Sequence, residues 1–244
     1  MFYLKDIDVL ILCGGKGRRL KKITGSIPKP MVRIGRHPFL NIIIGRLKKT
    51  GFKRFILGVG FQANFIKKYY KEHKIPGVEI IFSEENYPLG TGGAVKKAKK
   101  FIKSRIFLVL NGDSFSEFNP EDFIRFYKQK KAEFLILLRE AKNKHDYGEI
   151  MIDRKSKITC FNEKASNARG NFINGGVYLF NKSVFSIMPK KQKFSLEYDF
   201  FSRLIGKGLF GYKDSGFFID IGTPERYLAA KRHFLKDYIY GKKR

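Results

Sequence analysis

The segment DVLILCGGKGRRL, residues 8–20, joins an apolar run to a glycine-rich turn and indicates the fold of the chain. Its first half, Asp8–Cys13, is almost continuously apolar, which is typical of a strand buried in a parallel sheet. The turn that follows contains Gly14, Gly15 and Gly17, and these glycines let the backbone approach an anion closely. The same turn contains cationic side chains that suit phosphate oxygens, at Lys16, Arg18 and Arg19. The sequence predicts a phosphate-binding turn here, with an ordinary tight turn as the alternative.

Short apolar runs alternate with amphipathic segments through the N-terminal half. The predicted strands are Arg54–Gly60, Glu79–Ser83 and Ile106–Leu110, and the predicted helices are Phe39–Thr50, Asn64–Tyr70 and Gly93–Lys103. Another helix is predicted after Asn119, because Asn119 can cap it and Pro120 suits its first position. Strands that alternate with helices predict a doubly wound α/β fold with a mostly parallel sheet.

The alternation ends after a strand predicted at Phe134–Leu138. The later strands are predicted at Glu149–Asp153, Ile158–Asn162 and Gly176–Phe180, without long helices between them. Two helices are predicted near Leu196–Lys207 and Pro224–Phe234, separated by the strand-like segment Phe217–Ile221. This pattern predicts a small antiparallel extension that closes one side of the cleft.

The composition limits the classes of function that need to be considered. The chain has 50 Lys and Arg against 22 Asp and Glu, but the basic residues are spread along all 244 residues. A nucleic-acid module usually concentrates such charge, so we expect a lysine-rich surface whose positive field attracts anionic substrates. The two cysteines exclude a disulfide scaffold and CxxC metal sites. No apolar run is long enough to span a membrane and the N-terminus lacks a secretory signal, so a cytoplasmic location is expected.

Three further segments contain residues suited to phosphate and metal chemistry. Pro28 and Pro30 restrict the backbone around Lys29, so that its ammonium group is directed at a narrow region. Asp113 follows the strand Ile106–Leu110, and Asp220 lies within an apolar strand where an unpaired carboxylate would be costly. One Mg²⁺ held by both carboxylates would satisfy them, and a turn aspartate with a buried ion pair is the alternative.

The remaining polar turns are weaker signals. The segment Pro88–Ala94, PLGTGGA, opens a helix and presents backbone amides that could pack against a flat base. Glu163 and Lys164 offer an acceptor for sugar hydroxyls and a cation for a sugar phosphate. Asn174 and Gly175 could add hydroxyl contacts through the backbone. Each of these is more often an ordinary turn or a surface pair.

As an ordered set, the motifs are no longer generic. GGKGRRL, PKP, PLGTGG, NGD, NEK, NGGVY and DIGTP, from residue 14 to 224, resemble the sugar-phosphate nucleotidyltransferase family. LCGG, IPKPM, PLGTGGA, LNGD, INGG and FIDIG most resemble its D-glycero-D-manno-heptose 1-phosphate guanylyltransferases. The resemblance implies one Rossmann-like domain over residues 1–244, with a nucleotide-binding half at 1–140 and a sugar-phosphate-binding half at 141–244. It departs from the family at Arg18, where members usually have threonine.

The resemblance also implies roles for individual residues. Those implied in catalysis are Lys29, Arg19 and Asp113. Those implied in nucleotide binding are Leu12, Gly14, Gly15, Lys16, Gly17, Arg18, Glu85, Gly90 and Thr91. Those implied in sugar-phosphate binding are Asn111, Tyr147, Gly148, Glu163, Lys164, Asn174 and Gly175. Mg²⁺ would be held by Asp113 and Asp220.

Glu85 falls where family members use a side chain to read the base. A carboxylate only accepts hydrogen bonds, and guanine offers two neighbouring donors, so Glu85 favours GTP unless Glu84 takes its place. The predicted reaction is attack by a sugar 1-phosphate oxygen on the α-phosphorus of the NTP, with release of pyrophosphate. Alternatives left open are another NTP, another sugar or a non-sugar phosphate such as phosphocholine, an inactive binding module, and a basic nucleic-acid-binding protein. The expected partners are the two substrates, and a homo-oligomer is compatible with the sequence.

Overall fold

The computed structural model describes residues 3–140, 148–162 and 172–239. The strands are β1 Asp8–Leu12, β2 Arg33–Ile34, β3 His37–Pro38, β4 Arg54–Val59, β5 Glu79–Glu84, β6 Ile106–Asn111, β7 Ser114–Ser116, β8 Phe134–Glu140, β9 Glu149–Ile152, β10 Ile158–Asn162, β11 Phe172–Asn181, β12 Leu209–Lys213 and β13 Phe218–Asp220. The helices are α1 Lys21–Thr24, α2 Phe39–Lys49, α3 Ala63–Glu72, α4 Gly90–Ala98, α5 Pro120–Gln129, α6 Val184–Ile187, α7 Ser202–Leu204 and α8 Pro224–Ile239, with a π-helical turn at Leu196–Phe201.

Nine of the described strands form one mixed sheet. β1 lies between β4 and β6 in parallel register, β4 continues in parallel to β5, and β12 pairs in parallel with β8. β11 is antiparallel to both β6 and β8 and connects the two parallel groups. The antiparallel pair β9–β10 joins this sheet where Phe172 of β11 is opposite Ile150 of β9. A doubly wound fold with a mostly parallel sheet and a small antiparallel extension is confirmed.

Helices cover both faces of the sheet, and each face has its own apolar core. On one face, side chains such as Phe39 of α2, Ile66 of α3 and Phe123 of α5 are fully buried. On the other face, Val95 of α4 packs with Phe200 and Phe201 of the π-helical turn. Because strands buried on both faces are almost entirely apolar, polar side chains are displaced to the strand ends. The functional residues are therefore expected at the strand termini.

The helix start at Asn119 agrees with its prediction. The Asn119 side chain accepts hydrogen bonds from the backbone N–H of Glu121 at 2.9 Å and of Asp122 at 3.3 Å. These bonds satisfy N–H groups that have no partner within the helix. α5 then runs from Pro120 to Gln129.

Three predictions about the remaining elements were wrong, and β12 was missed. α4 begins at Gly90 rather than Gly93, and β11 begins at Phe172 rather than Gly176. β12 was not predicted, and the helix predicted over Leu196–Lys207 is a π-helical turn followed by α7, which ends at Leu204. Pairing with a distant segment explains β12, because Leu209–Lys213 pairs with β8.

Within the described ranges, every helix is too short or too polar to cross a lipid bilayer.

Candidate active site

A cleft of about 660 Å³ opens at the carboxyl ends of the central parallel strands. In open α/β sheets this edge is where the loops after neighbouring strands converge and ligands bind. Most of the residues proposed from the sequence line this cleft: Leu12, Gly14, Gly15, Lys16, Gly17, Arg19, Lys29, Glu85, Gly90, Thr91, Asn111 and Asp113. The structure therefore brings the predicted nucleotide-side residues together in one place.

The glycine-rich turn after β1 is shaped by its neighbours. At Gly17 the backbone has φ +57°, and a Cβ there would lie 3.1 Å from the Cβ of Lys29. Gly14 lies against Glu85, whose Oε1 would be 2.6 Å from an added Cβ. A Cβ at Gly15 would meet nothing within 4 Å, so this part of the turn faces open space. The turn thus packs on Lys29 and Glu85 and leaves the Gly15 backbone accessible to a ligand.

Lys29 lines the cleft and has a restricted position. It begins a 3₁₀ turn, Lys29–Met31, in which Pro30 is buried. Only 10% of its side chain is exposed, and its Nζ lies 2.6 Å from Oδ2 of Asp113. Asp113 is 40% exposed and lies two residues after the end of β6, and both members of this ion pair line the cleft. The rigid cation predicted from the two prolines is therefore paired with the carboxylate that was predicted to hold metal.

Asp220 lies next to Asp113. β13 pairs with β7 so that Asp220 is opposite Ser114, and the Ile221 N–H donates to the Asp113 carbonyl at 2.9 Å. The Asp220 carboxylate is 11% exposed and accepts hydrogen bonds from Arg226 and from the Gly222 N–H. The buried ion pair that the sequence left open as an alternative is thus present.

Carboxylate oxygens suit a magnesium ion that also binds a nucleotide, although only Asp113 of these two residues lines the cleft. Mg²⁺ prefers oxygen ligands and is usually held by one or two carboxylates together with substrate phosphates and water. In the described part of the chain, no group of three or more His, Cys, Asp and Glu side chains could hold a metal alone. Asp113 and Asp220 would therefore supply the protein ligands, and phosphates would supply others.

The PLGTGGA segment differs from its prediction. The N–H groups of Gly92 and Gly93 donate to the carbonyl of Phe194 at 3.0 and 3.1 Å, so they are not open to a base. A Cβ at Gly92 would overlap the Phe194 ring. The Thr91 hydroxyl donates to Glu197 at 2.6 Å and accepts from the Leu196 N–H at 2.8 Å. These glycines allow close contact with Phe194, which is a packing role that the sequence alone did not indicate.

Of the residues predicted to bind the sugar phosphate, only some lie within the described part of the chain, and most of those do not line the cleft. Asn111 lines the cleft, whereas Gly148, Asn174 and Gly175 do not. Asn174 Nδ2 donates to the Tyr178 hydroxyl at 2.8 Å, and the buried Gly175 uses its carbonyl to accept from Ser116 at 2.5 Å. Tyr147, Glu163, Lys164 and the Arg18 side chain lie outside the described residues.

Lys193 lines the cleft but was missed in the sequence. It belongs to the basic run KKQK, residues 190–193, which resembles the other surface clusters of lysine. The Lys96 ammonium group fixes the start of this run against α4, because it donates hydrogen bonds to the carbonyls of Pro189 at 2.6 Å and Lys190 at 2.9 Å. Only the docking of Phe194 on α4 shows that Lys193 is directed into the cleft.

Glu85 is the acidic residue on the nucleotide side of the cleft. Burial raises the pKa of its carboxyl group above the usual value, while the Leu89 N–H and Lys97 act in the opposite direction. Its Oε2 accepts from the Leu89 N–H at 2.9 Å. A carboxylate has about four lone-pair positions, so Glu85 retains the capacity to accept two donors from a ligand.

Comparisons with known proteins agree with this geometry. Residues 8–237 match a family model described as nucleotidyl transferase. A D-glycero-alpha-D-manno-heptose 1-phosphate guanylyltransferase of Aneurinibacillus thermoaerophilus is 36% identical over 234 residues, 96% of this chain and 100% of that protein. The protein of the same name from Campylobacter jejuni is 38% identical over 232 residues, 94% of this chain and 99% of its own length. The crystal structure of HddC from Yersinia pseudotuberculosis complexed with GMP-PN matches with a TM-score of 0.82 and 35% identity, over 93% of this chain and 99% of that chain.

Proposed function

This chain belongs to the nucleotidyl transferase family, and we propose that it transfers a guanylyl group from GTP to D-glycero-D-manno-heptose 1-phosphate. An oxygen of the sugar 1-phosphate attacks the α-phosphorus, and the bond from that phosphorus to the bridging oxygen of the β-phosphate breaks. The products are a GDP-sugar and pyrophosphate. The observation that carries the proposal is that one cleft holds the glycine-rich turn, the Lys29–Asp113 pair and Glu85.

The proposed choice of GTP rests on Glu85. Its carboxylate lies against Gly14 and lines the cleft, where it could accept the N1–H and the exocyclic amine of guanine together. Uracil and thymine present one N–H between two carbonyls, which a carboxylate would repel. The relatives named as guanylyltransferases, and the HddC complex with GMP-PN, support the same choice.

The phosphates are assigned to the cationic side of the cleft. The Gly15 backbone and Lys16 would contact the β- and γ-phosphates, and Arg19 would add a charge-assisted contact. Lys29 would neutralise the charge that develops on the α-phosphate during the transfer. A phosphate nucleophile is already ionised near neutral pH, so the residues of this cleft are needed for positioning and charge neutralisation rather than as a general base.

Asp113 and Asp220 would hold Mg²⁺, which when bound neutralises phosphate charge and orients the leaving pyrophosphate. Asp113 is the accessible member of this pair, and Asp220 is anchored beside it by Arg226. The sugar phosphate would bind near Asn111 and Lys193, which both line the cleft. Tyr147, Gly148, Glu163, Lys164, Asn174 and Gly175 stay predictions from the family resemblance.

Pyrophosphate release tests the proposal directly. The assay crosses GTP, CTP, UTP, dTTP and ATP with a panel of sugar 1-phosphates that includes D-glycero-D-manno-heptose 1-phosphate and mannose 1-phosphate, in the presence of Mg²⁺. Release that requires both GTP and the heptose phosphate supports the proposal. A preference for UTP or dTTP would contradict the role of Glu85, and a preference for mannose 1-phosphate would contradict the acceptor. Phosphocholine with CTP is included because the sequence left a non-sugar acceptor open.

A further inference from the structure

Residues 188–195 connect α6 to the π-helical turn without forming a helix or a strand. Lys193 in this segment is exposed and lines the cleft. Its neighbour Lys191 is paired with Asp199 at 2.8 Å, whereas Lys193 forms no ion pair with any residue in the described ranges. The Lys193 ammonium group is therefore available to an anion in the cleft. Because no strand pairing holds the segment, contacts of individual residues decide where Lys193 lies.

The backbone of Phe194 fixes the segment on the C-terminal side of Lys193. The Phe194 N–H donates to the Leu89 carbonyl at 2.9 Å, and the Phe194 carbonyl accepts from the Gly92 N–H at 3.0 Å. The Leu89 N–H in turn donates to Glu85 at 2.9 Å. Phe194 is therefore attached to the same turn that places Glu85 in the cleft, and Lys193 is the residue before it.

The Lys96 side chain fixes the segment on the N-terminal side of Lys193. Its Nζ donates to the carbonyls of three successive residues: Pro189 at 2.6 Å, Lys190 at 2.9 Å and Lys191 at 3.4 Å. An ammonium group has three donors, so Lys96 uses all of them on the backbone of this segment. Lys193 thus lies between two anchors on α4, and its backbone can shift little while both are in place.

We propose that Lys96 is a positioning residue, which holds the backbone of residues 189–191 so that the Lys193 ammonium group contacts a substrate phosphate. This role rests on the proposed function, which brings two phosphate substrates into the same cleft. Lys96 does not itself line the cleft, so it would act through Lys193 alone. A charge-assisted hydrogen bond to phosphate requires a short distance, and release of the 189–191 backbone would remove that contact.

Steady-state pyrophosphate release, with each substrate varied in turn, tests this role. Lys96→Met keeps a long side chain but has no donor. We expect it to raise the KM for the sugar 1-phosphate about tenfold with little change in kcat, as Lys193→Ala does. A tenfold rise confined to the KM for GTP would support the same role, with the nucleotide as the source of the phosphate. Lys96→Arg keeps the charge and the donors and is expected to restore most of the lost affinity.

The double variant Lys96→Met/Lys193→Ala shows whether Lys96 acts through Lys193. Its KM should equal that of Lys193→Ala, because the ammonium group that Lys96 positions is already absent. Independent losses would instead multiply to about a hundredfold and would overturn the role. Lys100→Met is the matched control, since Lys100 is exposed four residues after Lys96 and contacts the Phe101 ring rather than the segment. It should behave like the wild type.

Amide hydrogen exchange, followed by nuclear magnetic resonance without substrate, measures the placement of the segment directly. The N–H groups of Phe194 and Gly92 are protected by the contact between the segment and α4. Both should exchange at least about tenfold faster in Lys96→Met, because local opening sets the exchange rate. They should exchange as in the wild type in Lys193→Ala and Lys100→Met. Lys96→Gln is the second neutral variant, in case Lys96→Met does not fold by circular dichroism.

The two measurements separate this role from the proposed function. If no substrate pair released pyrophosphate but exchange rose in Lys96→Met, the proposed function would be contradicted and the control of the segment by Lys96 would stand. If guanylyl transfer were observed but Lys96→Met changed neither KM, only the role of Lys96 would be contradicted. Unchanged exchange in both Lys96→Met and Lys96→Gln would also overturn it, whether or not transfer was observed.

Discussion

The ammonium nitrogen of Lys29 lies 2.6 Å from Oδ2 of Asp113, and this ion pair joins segments that are 84 residues apart in the chain. Lys29 comes from the proline-flanked turn and Asp113 from the end of β6. The pair combines a mostly buried cation with an accessible carboxylate, and both residues line the cleft. Phosphate and metal could therefore bind side by side, with the lysine directed at the phosphate and the aspartate at the metal.

We expect Lys29→Ala and Asp113→Ala each to lower kcat at least about a hundredfold, because each removes a group positioned to stabilise charge in the transition state. Asp113→Ala leaves the mostly buried Lys29 ammonium without this partner, so some loss of stability is expected and has to be separated from the loss of turnover. The measurement is steady-state pyrophosphate release, with thermal unfolding followed by circular dichroism. Lys191→Ala is the matched control, because it breaks the exposed Lys191–Asp199 pair outside the cleft. Near-wild-type turnover in either cleft variant would contradict the mechanism.

Gly92→Ala should destabilise the protein by about 1–3 kcal/mol, the usual cost of overpacking. Its added Cβ would overlap the Phe194 ring, and the displaced segment includes Lys193. Gly45→Ala is the control, because Gly45 lies within α2 and a Cβ there meets nothing within 4 Å. That substitution should instead stabilise the helix by about 0.5–1 kcal/mol. Urea unfolding of the three proteins measures both effects, and equal destabilisation by the two substitutions would refute the contact with Phe194.

The N-terminal part of the site could be predicted from the sequence because its determinants are local. β1 and β6 are apolar runs followed at once by polar or glycine-rich residues, so the geometry of a parallel sheet is enough to bring Gly14 and Asp113 to one edge. The helix cap at Asn119 is local as well, since its partners are two and three residues away.

The parts that were missed depend on contacts between distant segments. The segment Pro88–Ala94 was expected to open a helix with its amides free for a base, yet α4 begins at Gly90 and the Phe194 carbonyl accepts from its first turn. β12 is a strand because it pairs with β8, which no local pattern around Gly208 indicates. Arg226 could not be identified as the partner of Asp220 until β13 and α8 were placed together.

Lys193→Ala should lower kcat/KM by about tenfold, the loss expected when one charge-assisted hydrogen bond to a phosphate is removed. Most of the change should appear as a higher KM for a phosphate substrate, because Lys193 lines the cleft without contacting the Lys29–Asp113 pair. Lys190→Ala is the control, since it lies in the same basic run but does not line the cleft. Equal effects of the two substitutions would indicate a general field of the lysine surface rather than a contact from Lys193.

Glu85 should make nucleotide binding and protein stability respond to pH in opposite directions. Burial raises its pKa in the folded protein, so folding favours the protonated carboxyl group. The protonated Glu85 therefore contributes to the free energy of unfolding. This contribution is fully present below the unfolded-state pKa and is lost as the pH rises through the raised folded-state pKa. In the absence of nucleotide, Glu85→Gln should therefore unfold at a higher temperature than the wild type near neutral pH. The difference should vanish at pH values below the ordinary value of 4.5.

GTP binding requires the other protonation state, because only the ionised carboxylate accepts both guanine donors. The affinity of the wild type for GTP should fall as the pH is lowered through the raised pKa of Glu85. Because this pKa is raised, the fall in affinity should begin at a higher pH than it would for an ordinary glutamate. The measurement is calorimetric titration of GTP into the wild type and into Glu85→Gln at each pH. The GTP phosphates titrate in the same way in both experiments, so their effect cancels in the ratio of the wild-type affinity to the Glu85→Gln affinity. That ratio should decline toward one at low pH. A ratio that does not change with pH would mean that the Glu85 carboxylate does not contact the base, since its ionisation would then leave GTP binding unaltered.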